Sequence, residues 1–272
     1  MDIQLLGGIA PDCEVFVYIC PNTTRGIFST FAQAGQDGID ILSCSWSQAE
    51  SQLDLRYLMS INSALNWLAR EKVTVCSSTG NYGSTPLTPD PTLEVSFPAS
   101  HPKTLACGGN MRITPDDGEA GDQVWWETGC GLTYATGGGF SHIFNAPTWQ
   151  AALGHKKRGV PDVASETSYR SGLWIWYQGL NTVSGGTSAS APVWAGLIAR
   201  LNQALGRRLG SVGEHLYEGS VAATFIDVTQ GNNIVLKSAD VYTAGRGWDP
   251  CTGLGRPDGT ALLEALRALL DS

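Results

Sequence analysis

At 272 residues, 42% of them apolar, the chain is long enough to bury a substantial core, as one large α/β domain or as two small ones, and no linker-like stretch divides it. A formal net charge of −8 argues against nucleic acid and an anionic membrane surface as partners, and no apolar run approaches the ~20 residues of a bilayer span. Charged residues make up only 15%, and 33 glycines imply many tight turns.

The opening Met1-Asp2 stretch does not have the make-up of a secretory signal peptide. Short apolar, β-branched runs follow at 14–20, 39–44, 73–77 and 104–107, each expected as a strand. Helical patterns lie between the first three. Residues 26–35 carry Ile27, Phe28, Phe31 and Ala32, and residues 53–70 carry Leu55, Leu58, Ile61, Leu65 and Leu68. This alternation predicts βαβ units and a mostly parallel sheet with helices on both faces. Residues 78–103 and 108–146, rich in Gly, Pro, Ser, Thr and Asp, read as long surface loops that shape a cleft. Residues 173–178 and 182–184 suit a hairpin, and the leucine-rich stretch 260–270 a closing helix. The seven cysteines form neither a CxxC pair nor a zinc spacing. Cys20, Cys44, Cys76 and Cys107 sit in or beside apolar runs and are expected as buried thiols.

Residues 184–196 read Ser-Gly-Gly-Thr-Ser-Ala-Ser-Ala-Pro-Val-Trp-Ala-Gly. Small residues compress the backbone just before an apolar helical run, so the Ser188 hydroxyl falls near a helix N-terminus. Unpaired N–H groups and the helix dipole there favour developing negative charge, which suits a nucleophile attacking a carbonyl. Pro192 fits an early helical position. Read locally, the same residues also serve as a Ser/Thr cap on a core helix.

The spelling Gly-Thr-Ser-x-Ser-x-Pro resembles the nucleophile segment of the subtilisin-like serine peptidases, and within them the sedolisins, or serine-carboxyl peptidases. Further landmarks run along nearly the whole chain. They include Met1-Asp2-Ile3-Gln4, Val17-Tyr18 with Pro21-Asn22-Thr23, Ser43-Cys44-Ser45-Trp46, Phe97-Pro98-Ala99-Ser100 and Arg158-Gly159-Val160-Pro161-Asp162-Val163. Gly247-Trp248-Asp249-Pro250-Cys251 closes the series. The resemblance implies one subtilisin-like α/β domain over residues 1–272, without the family's N-terminal strand or strands. It implies a peptide or protein substrate, and also secretion and a propeptide.

Residue by residue, the resemblance makes Ser188 the nucleophile and matches Asp2 to the Asp that partners a catalytic Glu four residues earlier. That Glu would fall at position −2, outside these residues. Removing one member of such a unit costs ~10⁶ in kcat, so residues 1–272 alone are expected to be weak or inert. The alternative is a non-catalytic member: a peptide-binding module, or a fragment complemented by another chain. Asn81 stands where the family has an oxyanion-binding Asp, and offers an amide donor that needs no protonation. None of the four histidines has the context of a subtilisin base. Trp46, Glu50 and Gly138 resemble positions that line or support the substrate cleft. Asp227, Val228, Gly245, Gly247 and Asp249 resemble a calcium loop, whose hard oxygens suit Ca²⁺. A sheet lacking its first strands is expected to expose an edge that takes up a second copy or a complementing N-terminal chain.

Overall fold

The computed structural model describes residues 1–85, 92–113, 121–129, 131–235 and 242–272. Three of the four expected strands form, as β1 (Ile41–Cys44), β2 (Thr74–Ser78) and β3 (Thr104–Ile113). With β4 (Gly121–Val124) and β5 (Val163–Glu166) they make a five-stranded sheet. Its order is β1-β2-β3-β5, all parallel, with β4 antiparallel to the far end of β3. Successive side chains of a strand face opposite layers. Val75 therefore joins Leu42, Ile61, Leu65 and Leu68 on one side, and Cys76 joins Leu105, Val163, Trp194 and Ile198 on the other. A sheet buried on both faces explains the near-continuous apolar runs of the sequence.

The first layer is built by α2 (Thr24–Gln36) and α3 (Leu55–Arg70). The Tyr57 N–H donates to the Asp54 carboxylate at 2.7 Å, capping α3. Ile61, Ala64, Leu65 and Leu68, spaced along one face, are buried. Each of the larger ones contributes about 1.5–3 kcal/mol. The turn into α2 demands glycine at 26, where a Cβ would stand 2.2 Å from the Pro21 carbonyl oxygen.

The second layer is α4 (Thr187–Leu205), whose Trp194 and Ile198 are fully buried, together with the C-terminal helix Gly259–Asp271. The short α1 (Asp2–Ile9) lies on α4. Gly196 permits this, since a Cβ there would meet the Ile9 Cβ at 2.9 Å, and Arg200 Nη1 donates to the Ile9 carbonyl at 3.2 Å. The expected hairpin forms as β6 (Leu173–Tyr177) and β7 (Leu180–Ser184), turning at Gln178 and Gly179, both at positive φ. Gln4 of α1 clasps the Trp176 main chain through two hydrogen bonds of 2.9 and 2.8 Å. These contacts set the start of α1 beside the start of α4. Among the described residues no helix is long and apolar enough to cross a membrane.

Two expectations are corrected. Residues 14–20 form no strand; Val15, Phe16, Val17 and Ile19 are exposed, and so is Cys20. β1 pairs only with β2 among the described residues, so this segment has no ladder to join. Residues 108–146 are not mainly loop. β3 runs on to Ile113, Trp126–Gly129 pairs with Leu132–Ala135, and Gly139–Asn145 pairs with Lys157–Val160. Glycine here marks close strand packing: a Cβ on Gly109 would lie 2.1 Å from Thr167 Oγ1. Cys44, Cys76, Cys107 and Cys251 are buried free thiols, and Cys130 lies outside the described residues.

An ion pair sits at the centre of the fold. Arg158 and Asp162, both fully buried, share two N–H···O bonds of 2.7 and 2.6 Å. Asp162 also accepts from the Ala106 N–H at 2.8 Å and the Tyr217 hydroxyl at 2.9 Å. Burial opposes the charge on Arg158, but Asp162 and Tyr217 together outweigh it, so the guanidinium pKa is raised above its ordinary value.

Candidate active site

Open α/β sheets place ligands beyond the carboxyl ends of their strands. Here Ser45 and Trp46 leave the end of β1, Thr79–Asn81 leave the end of β2, and α4 begins against both. A cleft of about 270 Å³ opens between them, lined among others by Trp46, Gln48, Asn81, Tyr82, Ser96 and Ser188.

Ser188 is the second residue of α4, reached through Gly186 at φ 84°. Its hydroxyl makes one long contact, 3.5 Å to the Ser45 carbonyl, and is otherwise free of protein partners among the described residues. Asn81 is held from the side. The Thr187 N–H and hydroxyl donate to its Oδ1 at 2.8 and 2.9 Å, and the Thr187 hydroxyl accepts from the Gly80 N–H at 3.0 Å. Because a main-chain N–H must face an oxygen, this network fixes the amide orientation and leaves Nδ2 as a donor. Asp2 reaches the site from α1, its Oδ2 2.6 Å from Ser45 Oγ. Burial, together with the Asp2 charge, pushes the neighbouring Cys44 thiol up to about 11, which keeps it neutral.

Of the cleft residues expected from sequence, Trp46 lines the cleft and is 77% exposed. Glu50 does not line it. Its buried carboxylate accepts from Ser141 Oγ at 2.7 Å and the His142 N–H at 2.8 Å, tying the segment after β1 to Gly139–Asn145. Gly138 is also elsewhere, packed where a Cβ would stand 2.0 Å from the Pro250 carbonyl oxygen. No histidine or carboxylate belongs to the cleft lining among the described residues. His101 is buried beside Asn62, and burial, then the Arg158 and Lys103 charges, lower its pKa to about 3. Sequence reading did not single out Ser45 by itself, or Tyr82, whose ring stands 6.1 Å from Tyr134 on the cleft wall. The signal for Ser45 was the Ser-x-Ser-Trp spelling at a strand end.

Asp227 and Asp249 meet one glycine-rich loop. The Gly247 N–H donates to Asp227 Oδ2 at 2.8 Å and the Gly245 N–H to Asp249 Oδ2 at 3.1 Å. Asp249 Oδ1 accepts from the Cys251 and Thr252 N–H groups at 2.8 and 2.9 Å. Burial raises the Asp249 pKa against these hydrogen bonds, and every one of those donors is neutral. Two carboxylates and the carbonyls of Val228, Gly245 and Gly247 are hard oxygens of the kind Ca²⁺ takes, so the residues present fit that ion. No group of three or more His, Cys, Asp or Glu that could hold a metal occurs among the described residues. A cation here would therefore draw on those two carboxylates and main-chain oxygens.

The sequence matches the family model described as Subtilase family over residues 2–215. Kumamolisin of Bacillus sp. (strain MN-32) is 38% identical over 278 residues, covering 98% of this chain and 50% of that protein. Sedolisin of Pseudomonas sp. (strain 101) is 31% identical over 258 residues, covering 89% and 43%. The chain thus spans about half the length of the curated relatives it matches. The structure of Pseudomonas sedolisin complexed with two molecules of pseudo-iodotyrostatin superposes with a TM-score of 0.82 at 28% identity, covering 92% of this chain and 72% of that one. The family match over most of the chain, the sedolisin relatives and the convergence of Ser188, Asn81 and Asp2 on one rim agree: this chain belongs to the subtilase family, in its sedolisin branch.

Proposed function

We propose that this chain carries the nucleophile, the oxyanion donor and one carboxylate of a serine endopeptidase of the sedolisin type. The pinned Asn81 amide, whose Nδ2 has no hydrogen-bond partner among the described residues and which lines the same cleft as Ser188, carries the reading. Ser188 Oγ would attack a peptide carbonyl carbon as a base takes its proton. Asn81 Nδ2 would receive the resulting oxyanion, and departure of the amine would leave an acyl-Ser188 for water to hydrolyse. In this reading the base is a Glu one helical turn ahead of Asp2, in polypeptide preceding residue 1, and Asp2 orients it. Asn81→Ala is expected to lower kcat by about 10²–10³-fold with KM little changed, as measured on a fluorogenic peptide.

One observation favours a second reading, a non-catalytic peptide-binding module: the described cleft lining holds no histidine or carboxylate. The two are separated by hydrolysis of a mixed fluorogenic peptide library between pH 3 and 8, by residues 1–272 and by the same chain preceded by its upstream polypeptide. Ser188-dependent turnover in the longer form and little in the shorter supports the peptidase. Silence in both, with retained peptide binding, supports the module. Secretion belongs to the peptidase reading. So does a strand, from the preceding polypeptide or a second copy, along the edge of β1 that has no strand beside it among the described residues. A monodisperse monomer for residues 1–272 by sedimentation, unchanged in the longer form's sheet content, would remove that strand.

Ca²⁺ belongs to this proposal as a stabiliser, held by Asp227, Asp249 and the carbonyls of Val228, Gly245 and Gly247. At a hundredfold excess over Kd a bound ligand adds about 2.7 kcal/mol. Chelation is therefore expected to lower the unfolding temperature by several degrees, and Asp249→Asn to abolish that response. An equal response in wild type and variant removes Ca²⁺ from this loop.

A further inference from the structure

We infer that Ser45 is a positioning residue of the serine chemistry, its hydroxyl forming the joint between Asp2 and the turn that carries the nucleophile. The inference rests on the peptidase reading above. In a regular helix the Ser188 carbonyl would accept from the N–H of residue 192. Residue 192 is proline and has none. Ser45 Oγ stands 3.1 Å from that carbonyl oxygen instead, and 2.6 Å from Asp2 Oδ2 on its other side. The main-chain oxygen of the same serine stands 3.5 Å from Ser188 Oγ. Residue 45 thus faces the nucleophile with two oxygens while its hydroxyl also faces the carboxyl.

A serine hydroxyl has one hydrogen, and here it has two acceptors. When Asp2 is ionised the carboxylate is the stronger acceptor and takes it, leaving the Ser188 carbonyl without a donor. When Asp2 carries a proton, its own O–H donates to Ser45 Oγ, and the Ser45 hydrogen turns to the Ser188 carbonyl. The proton that Asp2 takes up stays on its carboxyl and the single Ser45 hydrogen only turns from one acceptor to the other, so the state of Asp2 is passed to the main chain of the nucleophile without any proton leaving Ser45. Among the described residues, the Cys44 thiol on β1 is a titratable group beside Asp2, and burial holds it neutral. Among the described residues, α4 and the β6–β7 hairpin bring no charged side chain into a hydrogen bond or ion pair with Asp2.

The test uses the form of the protein that turns over a fluorogenic peptide, with Ser188→Ala as the reference. Ser45→Ala is expected to lower kcat by about 100-fold, the usual consequence of a small misplacement, with KM unchanged. Ser45→Thr, which keeps the hydroxyl, should restore most of it. Pro192→Ala returns an N–H opposite the Ser188 carbonyl, so adding it to Ser45→Ala should recover part of the lost rate. Ser188-dependent turnover that is indifferent to Ser45→Ala, or a loss carried by KM, overturns the inference alone. Turnover that survives Ser188→Ala overturns the peptidase reading instead. Thermal unfolding gives a readout free of turnover: Asp2→Ala and Ser45→Ala are expected to be non-additive, the double variant unfolding close to the less stable single one. Additive losses overturn the joint.

Discussion

Replacing Ser188 with alanine is expected to lower kcat by about 10⁶-fold in the form of the protein that turns over peptides, with its unfolding temperature unchanged. The size follows from chemistry: without the hydroxyl no acyl-enzyme forms, and only the oxyanion donor and binding remain. The unchanged stability follows from the surroundings. The Ser188 side chain is half-buried, and its one protein contact is the 3.5 Å approach to the Ser45 carbonyl. Removing it strands no well-bonded group. Turnover measured beside a melting curve checks both halves, and a loss under about tenfold would reject Ser188 as nucleophile.

Alanine at Asp162 has the opposite signature, with stability lost first. It leaves the Arg158 guanidinium fully buried with no counter-charge, and takes the acceptor from the Ala106 N–H and the Tyr217 hydroxyl. Breaking a buried pair from one side costs about 3–5 kcal/mol. Against a total of about 5–15 kcal/mol, that is a large fraction of the stability of the domain. Urea unfolding should show the midpoint fall with little change in slope. Asp162→Leu combined with Arg158→Leu should be less damaging than Asp162→Ala alone, because no charge is then left buried. A single-variant loss below about 1 kcal/mol would mean that water reaches Arg158.

The elements whose formation depends on their own sequence were legible. β1, β2, α3 and the β6–β7 hairpin follow from run length and apolar spacing, although the hairpin turns at Gln178 and Gly179, one residue inside its first expected strand. The placement of Ser188 and Asn81 on one cleft was legible through their neighbours, the small residues before Ser188 and the Gly-Asn pair after a strand. What failed depends on partners far away in the chain. Residues 14–20 have strand composition, but a strand exists only as part of a ladder. Glu50 has the look of a cleft carboxylate, and its fate is decided by Ser141, 91 residues on. The weight on Ser45 was hidden because it needs three separate facts: an α1 that docks on α4, a strand end beside it, and a proline four residues after the nucleophile.

The burial of α4 has a further consequence for how this site behaves on heating. Its middle is fully enclosed at Trp194 and Ile198, and just beyond its end Arg207 Nη2 donates to the Leu270 carbonyl of the C-terminal helix at 3.3 Å. Active sites more often ride on loops that open locally at small cost, well below the temperature that melts the core. Here the residue proposed as nucleophile starts a helix whose enclosed middle, about Trp194 and Ile198, is expected to exchange its amides with solvent only when the sheet beneath it comes apart, which native-state hydrogen exchange checks. Loss of the site and loss of the fold are then expected as one cooperative event.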